Sequence, residues 1–196
     1  AMSLCAVLIL AGGESTRMGQ PKAQLALPNK STVLDFHIAC AKKLNLPIFL
    51  ADNGKNSAHD PLITPLKDYL PCNDSGKGAG PLSGITAGLQ AVESEGYILT
   101  VSCDHLLAID KIADILKFTS AQVGYLYAKK DCPLLGVYHT SILPILLDFL
   151  AQGGRSVMQF LDLVDRQTFD LNDDLHSLTN FNTPSEFALA LENFYD

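Results

Sequence analysis

Apolar residues fall along this chain in two alternating patterns. Ala6-Val7-Leu8-Ile9-Leu10 is a short continuous apolar run that stops at Gly12-Gly13, which predicts a strand buried on both faces. Similar runs at Ile48 to Ala51, Tyr97 to Ser102 and 123–128 predict three more strands. Between them the period changes. Leu34, Ile38, Ala41 and Leu44 share one helical face, as do Ile109, Ile112, Ala113 and Leu116. A last helix is predicted to open at Pro184, with Thr183 as its cap and Phe187, Leu191 and Phe194 turned inward.

Strands alternating with helices of about ten residues imply βαβ units and an α/β fold of three layers, Rossmann-like, with a mainly parallel sheet. Such sheets place their ligands beyond the carboxyl ends of the strands. The loop 11–22, the glycine-rich Gly76-Lys77-Gly78-Ala79-Gly80 and Asp104 would then share one rim. The chain has 196 residues and shows no repeat, low-complexity tract or linker, so one domain spanning 1–196 is expected.

Composition narrows the partners. A net charge of -7 argues against a nucleic-acid or anionic-membrane surface, although a small anion needs only a few local cations and backbone N–H groups. Cys5, Cys40, Cys72, Cys103 and Cys132 are scattered without a C-x-x-C pair, the pattern of reduced thiols in a cytoplasmic protein. The five histidines have no metal-ligand spacing. The early apolar run is too short to span a bilayer, so no membrane association is expected.

The loop after the first run carries the chemistry. Gly12 and Gly13 allow a tight turn and close approach of backbone donors to a phosphate, Ser15 and Thr16 add hydroxyls, and Arg17 and Lys22 add positive charge. A glycine-rich turn with solvated charges is the plain alternative. Neither of two familiar nucleotide loops fits, because G-x-x-x-x-G-K-[ST] and G-x-G-x-x-G are both absent from this stretch.

The arrangement L-A-G-G-x-S-x-R-M-G-x-x-K over 10–22 resembles the signature of nucleotidyltransferases that activate phosphorylated metabolites, and most of all the molybdenum cofactor guanylyltransferase family. "GPLSGITAGLQ" from Gly80, "VSCD" from Val101, "GGRSVMQFL" from Gly153 and "NFNTPSEF" from Asn180 resemble further family blocks, in order. The resemblance implies a nucleotidyltransferase fold whose N-terminal part binds nucleotide and whose C-terminal part binds a pterin. It implies base or ribose contacts from Leu10, Ala11, Gly12 and Gly13, nucleotide contacts from Ser15, Gly80 and Asp74 or its neighbour Asn73, and phosphate contacts from Arg17 and Lys22. Asp104 would coordinate Mg²⁺, for which one carboxylate with phosphates and waters suffices. Arg155, Asn180 and Asn182 would border the pterin. Read as bare sequence, Arg155 is a surface charge and Asn182-Thr183-Pro184 a helix-start turn.

The activity so implied is Mg²⁺-dependent transfer of GMP from GTP to molybdopterin, with Lys22, Arg17 and Asp104 as the catalytic set. Such an enzyme would be a cytoplasmic monomer, with molybdenum cofactor biosynthesis proteins and molybdoenzyme chaperones as its protein partners. Pro21, standing where guanylyltransferases usually carry Asp, keeps a cytidylyltransferase for the same pterin open, and a sugar-phosphate nucleotidyltransferase is a further alternative. So is a binding module without catalysis, although that would not need Lys22 and Asp104 together.

Overall fold

The computed structural model describes residues 2–12, 17–55, 58–75 and 78–194. Seven strands form one sheet: β1 (Leu4–Leu10), β2 (Ile48–Ala51), β3 (Ile63–Leu66), β4 (Tyr97–Ser102), β5 (Val123–Tyr127), β6 (Asp131–His139) and β7 (Arg166–Asp170). Their order across the sheet is β3-β2-β1-β4-β6-β5-β7. β6 pairs antiparallel with both β4 and β5, while every other pairing is parallel. One reversed strand in seven makes the sheet mixed but mainly parallel.

Side-chain alternation along β1 explains the layers. Val7 and Ile9 enter one apolar cluster and Ala6 and Leu8 enter another, so the strand is sealed on both faces. The first cluster takes its helical side chains from α1 (Val33–Lys42) and α3 (Ile109–Leu116), with Ala190 of α6 (Pro184–Glu192). The second takes them from α2 (Pro81–Ala91), α4 (Leu143–Ala151) and α5 (Val157–Leu161). Helices thus cover both faces of the sheet in the expected α/β arrangement.

Local signals place the helix starts. Thr32 and Asp35 form a reciprocal capping box at α1. Thr183 accepts from the Glu186 N–H, and Pro184 occupies the first turn of α6. Gly80 precedes α2 with φ +91°, a conformation open to glycine, and Pro81 follows it. No described helix is long and apolar enough to cross a membrane.

Candidate active site

β2 and β4 flank β1 on either side, and their connections leave the sheet in opposite directions. This is where an open α/β sheet leaves a crevice beyond its carboxyl ends. A cleft of 320 Å³ lies there. Leu10, Ala11 and Gly12 continue from β1 into its wall, Ala51 and Asn53 from β2, and Ser102, Cys103 and Asp104 from β4. Gly80, Pro81 and Gly84 bring the start of α2 to the same space. Lys22 arrives on a short 3-10 turn, Lys22–Gln24, whose Ala23 is buried.

Small residues give the cleft its shape. A Cβ on Gly84 would lie 2.8 Å from Leu10 Cδ2 and 3.3 Å from the Ala51 Cβ, so its absence lets α2 approach the ends of β1 and β2. A Cβ on Gly12 would meet Asn53 Nδ2 at 2.8 Å, and one on Gly78 would meet Asn53 Oδ1 at 2.9 Å. The Asn53 amide is therefore held between two bare backbones. Asn53 itself has φ +57°, a left-handed conformation that asparagine tolerates.

Among the described residues, two carboxylates and one ammonium face this space. Asp104 accepts a hydrogen bond from Ser102 Oγ at 2.6 Å, which fixes the carboxylate while leaving it capacity for further partners. Asp68 lines the cleft near Gly84, where an added Cβ would lie 3.9 Å from Asp68 Oδ1, and burial together with the nearby Asp52 charge pushes its carboxyl above the ordinary range. The Lys22 ammonium donates to Asn182 Oδ1 at 2.7 Å. Burial pushes the Cys103 thiol up to about 12, so it stays protonated and is not a nucleophile at neutral pH.

The C-terminal segment is tied to the same rim. Phe181 N–H donates to the Asp104 carbonyl at 3.0 Å, and Leu106 N–H to the Leu178 carbonyl at 2.8 Å. Asn180, at φ +53°, donates from its side chain to Cys132 Sγ. Asn182 and Asn180 thus adjoin Lys22 and Asp104.

Of the residues singled out from the sequence, Leu10, Ala11, Gly12, Lys22, Gly80 and Asp104 line one cleft. Gly13 and Ser15 lie outside the described residues. Arg17 is exposed and is not part of the cleft wall. Asp74 and Asn73 are exposed on the loop before α2, and Asp68 instead brings a carboxylate into the cleft. Arg155 donates to the carbonyls of Leu150 and Gly154 and so caps the end of α4. Asn53 and Asp68 escaped sequence reading. Their signal was position after a strand end, and for Asp68 that strand, β3, was itself unrecognised.

Comparison with known proteins gives the family. The profile of the MobA-like NTP transferase domain matches residues 7–167. A probable molybdenum cofactor guanylyltransferase of Nostoc sp. is 30% identical over 209 residues, covering 100% of this chain and 94% of the relative. The crystal structure of molybdopterin-guanine dinucleotide biosynthesis protein A from Archaeoglobus fulgidus superposes with a TM-score of 0.72 at 19% identity, covering 95% of this chain and 97% of that one. A Mycobacterium tuberculosis protein crystallised as a manganese complex shares the fold at a TM-score of 0.66 and 15% identity, covering 97% of this chain and 99% of that one. The chain is a nucleotidyltransferase and belongs to the MobA-like NTP transferase family.

Proposed function

We propose that this enzyme transfers the guanylyl group of GTP to the terminal phosphate of molybdopterin, giving molybdopterin guanine dinucleotide and pyrophosphate. The observation that carries the reading is the convergence of Lys22, Asp104, Gly12 and Gly80 on one cleft at the carboxyl ends of β1 and β4. The name of the full-length Nostoc relative supports the choice of reaction.

An oxygen of the acceptor phosphate attacks the α-phosphorus of GTP; the new P–O bond forms as the α–β bridging bond breaks, and its electron pair leaves with pyrophosphate. The acceptor is already an anion at neutral pH, so no general base is needed, in keeping with a protonated Cys103. The difficulty is to bring two polyanions together. Lys22 places a point charge beside the phosphates, and the backbone of 10–12 gives close access to ribose and phosphate. Arg17 adds charge from the exposed rim.

Asp104 suits a magnesium ion: it is a partly exposed carboxylate at a strand end, oriented by Ser102 and facing the nucleotide cleft. Bound there with triphosphate oxygens, the ion would neutralise charge on the departing pyrophosphate. Asp68 replaces Asp74 as the proposed nucleotide contact. A carboxylate beside Gly84 accepts from two adjacent donors of guanine, its ring N–H and exocyclic amine, whereas cytosine offers one amine there. The molybdopterin approaches from the side of Asn180 and Asn182.

Incubating the protein with molybdopterin, Mg²⁺ and GTP, CTP, ATP or UTP in turn, and weighing the product by mass spectrometry, tests the proposal. Guanine dinucleotide with GTP alone is expected. A cytosine dinucleotide would transfer the assignment to the CTP reading that Pro21 keeps open, and no dinucleotide with any of the four would refute it.

A further inference from the structure

Lys22 and Asn182 are 160 positions apart, yet the lysine ammonium donates to the asparagine carbonyl oxygen at 2.7 Å. We propose that Asn182 is a positioning residue for Lys22, acting on nucleotide binding before any acceptor arrives. The inference rests on the nucleotide reading of the cleft.

The orientation of the Asn182 amide follows from its two neighbours. Its Nδ2 donates to the Asn180 carbonyl at 3.2 Å, and a carbonyl can only accept. Its Oδ1 therefore points at Lys22, which can only donate. The left-handed turn at Asn180 presents that carbonyl, and Asn180 is itself anchored through its side chain to Cys132. On the other side, the Asn182 N–H donates to Glu186 Oε1 at 3.1 Å and Phe181 N–H to the Asp104 carbonyl. The acceptor oxygen is thus fixed by β6, α6 and the Asp104 loop together.

A neutral amide suits this task. An ammonium carries three N–H donors, and Asn182 occupies one of them. The amide adds no opposing charge of its own, so it leaves two donors of the ammonium attractive to phosphate. A long lysine stem otherwise loses considerable rotamer entropy when it settles on a ligand, and a stem already held loses less. Buried Ala23 anchors the base of the side chain and Asn182 its tip.

The test uses nucleotide alone. Dissociation constants for Mg²⁺-GTP are measured by calorimetry, without pterin, for the wild type, Asn182→Ala, Lys22→Ala and the double variant. Asn182→Ala is expected to weaken binding roughly tenfold, the scale of one hydrogen bond to a charged group. The same substitution is expected to add little in the Lys22→Ala background, because residues acting through one another are not additive. Asn182→Ser keeps a turn-forming hydroxyl but is one bond short of Lys22, and carries the same cycle if the alanine variant loses its thermal transition. Unchanged GTP affinity, or equal losses in both backgrounds, overturns the proposal. A wild type that binds no GTP refutes instead the nucleotide reading on which it rests.

Discussion

The imidazole rings of His37 and His105 lie with centroids 4.3 Å apart and a 32° tilt, and both are fully buried between α1 and the segment after β4. Burial holds each below its ordinary value of about 6.5, His105 down to about 3. For His37 the neighbouring ring adds to the depression, while the His105 backbone and the Asp104 charge oppose it.

The sign for stability follows. Below pH 6.5 the unfolded chain binds protons on both histidines that the folded chain does not, so stability falls as the pH drops from about 6.5 toward 3. For His105 the loss approaches about 1.4 kcal/mol per pH unit within that window, and His37 contributes in the same direction. His37→Leu should therefore stabilise the protein more at pH 5 than at pH 8. Urea unfolding at the two values checks it, and an equal shift at both would contradict the linkage.

Lys22→Ala should lower turnover by roughly one hundred to one thousand fold, the effect of removing one donor that stabilises developing charge. Pyrophosphate release at saturating GTP and Mg²⁺ is the measurement. Turnover near that of the wild type would remove Lys22 from the mechanism.

Asp104→Asn keeps the size of the side chain and can still accept from Ser102, but lacks the charge that would hold a cation. Its Mg²⁺ titration should move to much higher concentration, with the fold unchanged by circular dichroism. A titration overlaying that of the wild type would end the assignment.

Asp68→Asn places a carboxamide, with one acceptor and a donor NH2, where two purine donors would find a carboxylate. The ratio of kcat/KM for GTP over CTP should fall by about tenfold or more, one bidentate contact being worth about 1 to 3 kcal/mol of discrimination. A ratio that does not move would leave base choice to the backbone.

Gly12→Ala puts a methyl 2.8 Å from Asn53 Nδ2, and Gly12 is itself exposed. The strain, about 1 to 3 kcal/mol for an overpacked contact, should appear mainly as weaker GTP binding. Calorimetry combined with thermal melting separates the two effects.

The strands that the sequence announced are those sealed on both faces. β1, β2, β4 and β5 read as mainly apolar runs, and Tyr97–Ser102 and Ile48–Ala51 have the expected bounds. β3 and β7 lie at the two edges of the sheet, where one side is left to solvent: β3 contains Pro65, and β7 reads Arg-Gln-Thr-Phe-Asp. β6 carries Pro133 and Gly136, and its antiparallel direction is a tertiary property that its composition does not encode. The site followed the same logic. Glycines and charges attached to a legible strand, such as Gly12, Lys22 and Asp104, fall in the cleft, whereas Asp68 follows the short edge strand β3, which Thr64 and Pro65 concealed. Arg155 belongs to a motif, and its Nη1 donates to the carbonyls of Leu150 and Gly154 at and beyond the end of the preceding helix, α4.

The hydrogen bond from Phe181 to the Asp104 carbonyl has a bearing on how the protein is made. A growing chain emerges from the ribosome amino end first, so all seven strands can be available before residues 178–182 have left the exit tunnel. Until then the Asp104 loop lacks its backbone partner and Lys22 lacks Asn182. Nascent chains can assemble the sheet early, but the hydrogen bonds to the Asp104 loop and to Lys22 form only when residues 178–182 dock.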